Sequence, residues 1–188
     1  MHIKQFLLIL LLFLFCVNSY ALDLTKITNK NNKINIELNN ILYLQDFVLV
    51  DDKLVSPFYE NNGTKYYFFS FLNRKTKQEI INKIKNKEQI VNKKLNEKIE
   101  YKINKCSIVK KPKTILAFMS VIFNDEIEIN CNILNGKYGL WVSWASLKEN
   151  NKWRKLFDIK DKKLKDEIET ALIKYYKQKR NDDKLKEE

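Results

Sequence analysis

The chain has 188 residues, with 35 Lys+Arg against 23 Asp+Glu, one His and three Cys. That length carries one or two small domains with a real core, and a 45% hydrophobic, 12% aromatic composition excludes a disordered charged tail. The net charge of +12 points toward nucleic acid or an anionic surface. Yet Arg74, Arg154 and Arg180 are the only arginines, and in a chain rich in Lys, Asn and Ile the charge alone selects no partner.

Lys4 precedes an unbroken apolar run over residues 6–17, followed by the small residues Ser19 and Ala21. This is the three-part pattern of a secretory signal peptide, with cleavage after Ala21 and export to the periplasm or medium. The apolar run falls short of the ~18–20 residues that span a bilayer; an uncleaved membrane anchor is the alternative. Cleavage removes His2, the only histidine, and leaves Cys106 and Cys131.

Residues 33–72 are strand-like. Ile34, Ile36 and Leu38 alternate with Asn35, Glu37 and Asn39, residues 41–50 are apolar enough to be buried on both faces, and Tyr66-Tyr67-Phe68-Phe69 favours a third strand. Thr76 with Glu79 reads as a capping box opening a helix whose stripe is Ile80, Ile84, Val91 and Leu95. Its lysines (Lys77, Lys83, Lys85, Lys87, Lys93 and Lys94) form a solvated face.

The second half repeats this order. Residues 101–111 and 113–123 read as strands, and over 126–133 Glu126, Glu128, Asn130 and Asn132 face outward while Ile127, Ile129, Cys131 and Ile133 face inward. Asn135-Gly136 marks a turn, and Leu140, Val142 and Trp144 share one strand face, with Trp141 on the other. Asp161 caps a helix with the stripe Leu164, Ile168, Ala171, Leu172 and Tyr175. Past Lys177 the charges mix without apolar partners, so residues 178–188 fray.

The halves also share sequence. Asn39-Asn40-Ile41 recurs as Asn124-Asp125-Glu126-Ile127, Glu60-Asn61-Asn62 as Glu149-Asn150-Asn151, and Lys77-Gln78-Glu79-Ile80 as Lys165-Asp166-Glu167-Ile168. Preserved order favours duplication over composition bias. The expected fold class is α+β: two tandem small domains, each an antiparallel β-sheet followed by an α-helix, forming an internal pseudo-dimer. The divisions are 1–21 signal peptide, 22–98 first repeat, 99–179 second repeat and 180–188 charged tail.

Residues 117–146, AFMSVIFNDEIEINCNILNGKYGLWVSWAS, carry a family likeness. Together with the flanking 99–179 they resemble the SpoVG (stage V sporulation protein G, or septation protein) family. That family passes from an apolar strand through "D-x-F-x-V" and "N-G-L-F-V" strands to a terminal helix. The resemblance implies a small bacterial α+β regulator that dimerises and binds DNA or RNA. It also implies a contact loop, "P-S-K-R-T", followed by a basic residue. Ser146 and Lys148 match that loop, Ala145 and Leu147 stand where the family has proline and a second basic residue, and the later basic residue falls on Lys155. In the first repeat, Pro57-Phe58-Tyr59-Glu60 has no basic residue at that place.

The candidate nucleic-acid contacts are therefore Lys148, Lys152, Arg154 and Lys155, with Trp153 interleaved as a stacking ring. The alternative is a solvated turn with Trp153 packed on a sheet edge. Trp141, if exposed, marks a protein interface together with Trp153. Without a mature His no His-based triad or His metal site can form. Asp51-Asp52 and Asp125-Glu126 read as turn residues, and no Gly-rich phosphate loop is spelled. The chain is read as non-enzymatic, without metal, cofactor or small-molecule substrate. Cys106 and Cys131 could form a disulfide after export, but if their strands flank 113–123 they stand about 9–10 Å apart, too far for a bridge; they then read as small buried hydrophobes, and only a different strand order would allow the bond. Two functions stay open: a nucleic-acid-binding, septation-linked regulator, or an extracytoplasmic protein-interaction module that kept the scaffold and lost the ligand. Either acts as a monomeric pseudo-dimer or a homodimer.

Overall fold

The computed structural model describes residues 21–88 and 98–185. Residues 1–20, most of the expected signal peptide, residues 89–97 with Val91, Leu95, Lys93 and Lys94, and residues 186–188 lie outside them.

The first unit contains β1 (Leu24–Lys30), β2 (Lys33–Leu38), β3 (Leu42–Val50), β4 (Lys53–Val55), a hairpin of β5 (Phe58–Asn61) and β6 (Thr64–Tyr67), β7 (Phe69–Phe71) and helix α1 (Arg74–Lys85). The second repeats the series: β8 (Tyr101–Ile108), β9 (Ile115–Phe123), β10 (Ile127–Gly136), β11 (Gly139–Trp144), a hairpin of β12 (Ser146–Glu149) and β13 (Lys152–Lys155), β14 (Phe157–Ile159) and α2 (Lys162–Lys184). Two tandem units, each an antiparallel sheet followed by a helix, form an internal pseudo-dimer.

Each unit gives its last strand to the other. β14 pairs with β3, matching Phe157 to Leu44 and Ile159 to Leu42. β7 pairs with β10, matching Phe69 to Ile129 and Phe71 to Ile127. These are the same register seen twice. Each sheet therefore has an edge made half by its own strand (β4 or β11) and half by the partner unit's (β14 or β7). The exchanged phenylalanines, Phe69 and Phe157, meet at the centre with ring centroids 6.4 Å apart, and Phe157 also packs on Phe123 and Trp144. Burying rings of this size contributes about 1.5–3 kcal/mol each, so one continuous core joins both units.

The tight turns repeat as well. Asn39 and Asn40 have φ of 52° and 56°, and Asn124 and Asp125 have 48° and 57°. Asn and Asp tolerate this left-handed geometry better than other non-glycine residues. In the hairpins Asn62-Gly63 corresponds to Asn150-Asn151, all four with positive φ. The Glu-Asn-Asn match read from sequence is thus shifted by one residue. The Lys77–Ile80 match holds: Ile80 and Ile168 are both fully buried.

Several expectations need correction. Helix α1 starts at Arg74 under an Asn73 cap, whose side chain accepts from Lys75 N–H. Thr76 lies inside the helix, its hydroxyl engaged by Glu126 at 2.7 Å. That carboxylate is buried, so Glu126 is not an outward turn residue. The second hairpin turns at Lys137-Tyr138, with Gly136 and Gly139 as its closing pair. Tyr176 is buried instead of Tyr175, and α2 continues to Lys184 without fraying after Lys177. Asp161 caps α2 as expected, accepting from Leu164 N–H at 3.0 Å. Cys106 and Cys131 are free, buried, and both opposite Met119 of the intervening β9.

Candidate functional site: the β12–β13 hairpin

Residues 146–155 form a hairpin whose register pairs Ser146 with Lys155, Leu147 with Arg154, Lys148 with Trp153 and Glu149 with Lys152. Side chains alternate along each strand, so Ser146, Lys148, Trp153 and Lys155 share one face. Leu147, Glu149, Lys152 and Arg154 share the other. The two positions that match the family loop and the later basic residue thus come together, with Trp153 among them. The replaced positions do not: Ala145 is buried, and Leu147 is half-buried on the opposite face.

Trp153 is 71% exposed, which sets aside packing on a sheet edge. Lys148, Lys152 and Lys155 are exposed, and none forms a salt bridge among the described residues.

Arg154 behaves differently from its neighbours. Its Nε and Nη2 donate to the two oxygens of Glu149 at 3.1 and 3.0 Å, and Nη2 also donates to Asp46 of the other unit. Lys33 adds a 3.0 Å bond to Asp46. Burial pushes the Asp46 carboxyl up, but the bonds and charges of Arg154 and Lys33 outweigh it and hold the group below its ordinary range. The Arg154 bond likewise lowers Glu149, and the two carboxylates raise Arg154. Arg154 therefore anchors the hairpin to the first unit and is withdrawn from the candidate contact set.

Asp46 was not singled out in the sequence, although one acid within the apolar 41–50 stretch was a visible sign. It has φ 68°, and its N–H is held by the Asn35 side chain at 3.1 Å. β2 pairs Ile34 with Phe47 but Ile36 with Leu44, so Asp46 sits in a bulge that β10 lacks.

The equivalent first-unit hairpin is aromatic where this one is basic. Tyr59 and Tyr66 stack at 4.9 Å and 11°, and Phe58 packs on Tyr67 at 5.5 Å. Trp141 is 47% exposed on the outer face of the second sheet, which also carries Phe118 at 48%. A Cβ on Gly136 would come within 3.1 Å of the Trp141 indole, so a larger residue there would require the ring to shift by a few tenths of an ångström. Trp144 points inward and donates to Glu169 at 2.7 Å.

Among the described residues no helix is long and apolar enough to cross a membrane. No family model, curated protein or solved structure matches this chain.

Proposed function

We propose that this is an exported, SpoVG-like protein that binds single-stranded DNA or RNA through the Ser146, Lys148, Trp153 and Lys155 face of its β12–β13 hairpin. The observation that carries the reading is the cross-strand pair of Lys148 and a 71%-exposed Trp153, with Lys155 on the same face. An exposed indole offers a platform for any base, and flanking lysines meet the phosphates on either side. With Arg154 already paired, no Arg fork is left in the hairpin to read base edges. The binding is therefore charge- and stacking-driven, with little sequence preference. A septation-linked regulatory role is what the resemblance implies.

The test is titration of the purified protein with a mixed-sequence single-stranded oligonucleotide, followed by Trp fluorescence. Binding should show a log–log salt slope of about −1.4, as two phosphate contacts give for single strands. Lys148→Ala with Lys155→Ala should abolish it above about 100 mM salt, and Trp153→Ala should remove the quench. No binding at low salt, or equal binding by the double variant, would overturn the reading.

Trp141 and Phe118, exposed together on the outer face of the second sheet, favour a second reading as an extracytoplasmic protein-interaction module. Under it, oligonucleotide binding is absent and Trp141→Ala abolishes capture of a protein partner.

A further inference from the structure

The first described residues are Ala21-Leu22-Asp23, and the last two are held firmly. Leu22 is buried, with 4% of its surface exposed. Asp23 N–H donates to the Asn39 side chain at 2.7 Å, and Asn39 N–H donates back to the Asp23 carbonyl at 2.8 Å. The main-chain N–H of Leu22 donates to the carboxylate of Glu126. Glu126 is 6% exposed, accepts the Thr76 hydroxyl at 2.7 Å, and its carbonyl accepts the Leu72 N–H at 2.7 Å, ahead of α1.

Among the described residues this buried carboxylate forms no salt bridge. The charged side chains that act on it are Asp23 and Glu79, both acids. Burial pushes the Glu126 carboxyl up, against the bonds from Thr76 and Leu22. Among the described residues no three such groups converge to hold a metal ion. A buried acid in this setting is costly unless it is neutral or paired.

The second unit contains the same corner without a chain end. Ile99 is buried like Leu22, Glu100 N–H donates to the Asn124 side chain at 3.0 Å, and Asn124 N–H returns to the Glu100 carbonyl at 3.0 Å. There the place of Glu126 is taken by Ile41 and that of Thr76 by Leu164, both packed against the core. The amide of Ile99 is an internal peptide in every form of the protein. The acid stands only in the copy where cleavage would turn the corresponding amide into a free amine.

We propose that cleavage between Ala21 and Leu22 creates the α-ammonium of Leu22 in place, and that this ammonium forms a buried ion pair with Glu126, fastening the mature N-terminus beside the start of α1. Water hydrolyses the amide, by a signal-peptidase-class enzyme, leaving a carboxylate on Ala21 and an amine on Leu22 that takes up a proton. The inference rests on the export reading for its cleavage event; the ion pair itself is testable apart from it.

The full chain is expressed in a secreting host and the mature N-terminus determined by mass and end-group sequencing. Leu22 is the expected first residue, and any other terminus overturns the processing event. Separately, residues 22–188 are released from a cleavable fusion with Leu22 free, and compared with the same chain retaining Ala21. Retaining Ala21 should lower the thermal midpoint by about 5 °C. The same extension should change it by under about 1 °C in Glu126→Gln and in Glu126→Ile, the latter copying Ile41. The advantage of the free amine should vanish as pH rises through the amine's folded pKa, because an ammonium that gains a partner stabilises only while protonated. An extension without effect on the native sequence, or equal effects with and without Glu126, would overturn the ion pair.

Discussion

Arg154 of the second unit closes on Asp46 of the first, and Asp46 sits in a bulge of β3 that has no counterpart at the equivalent place in β10. Bulge and arginine answer each other: the first turns a carboxylate out of the sheet where the hairpin passes. Arg154→Ala and Asp46→Ala should each destabilise the protein, with a coupling of about 1 kcal/mol in a double-mutant cycle by urea denaturation. The folded Asp46 carboxyl lies below its ordinary value, so its contribution is present above the unfolded value of about 3.9 and lost as pH falls through the folded one. Additive single effects would show that the bond does not hold the hairpin.

The strand exchange predicts how half the chain behaves. Residues 98–185 alone keep β14 but lose β3, its partner, and lose the β7 that completes β10. A second copy can supply what is missing, because Phe157 and Ile159 fit opposite Ile129 and Ile127 as Phe69 and Phe71 do. The fragment should sediment as a symmetric dimer and unfold at a concentration-dependent temperature. A folded monomer would contradict the exchange.

Asn39 and Asn124 should respond alike to substitution. Each has positive φ and binds the main chain preceding its own unit's first strand. Replacing either with Ala removes a partly buried hydrogen bond and strains a left-handed residue, a loss of about 1–3 kcal/mol by chemical denaturation. Costs that differ greatly would mean the two corners are not energetically equivalent.

Both thiols should be inert in the native protein. Burial raises Cys106, and pushes Cys131 up to about 12. A thiol reagent at pH 8 should label them at the unfolding rate and completely in denaturant. Stability should fall as pH rises above the unfolded thiol value of about 8.5, where only the unfolded chain ionises readily.

Local patterns carried much of the fold. The alternation from Ile127 to Ile133, the shared face of Leu140, Val142 and Trp144, and the Asp161 cap all depend on residues near in sequence, and all are present. The exchange could not be read this way. β7 and β14 have three residues each, and their partners lie in the other half of the chain. Thr76 illustrates the same limit: its spacing to Glu79 suits a cap, but a carboxylate 50 positions away holds its hydroxyl. At the candidate site the basic cluster was visible, whereas the withdrawal of Arg154 depends on Asp46, a distant bulge residue.

In a dimer of identical chains every substitution is made twice, once on each side of the symmetry axis. Joining the two copies removes that constraint. One hairpin of this protein carries the Tyr59–Tyr66 stack while its counterpart carries Lys148, Trp153 and Lys155. One buried corner has an acid while the other has Ile41. The shared core of exchanged strands keeps the two sides in step, and each exposed arm is left to change independently.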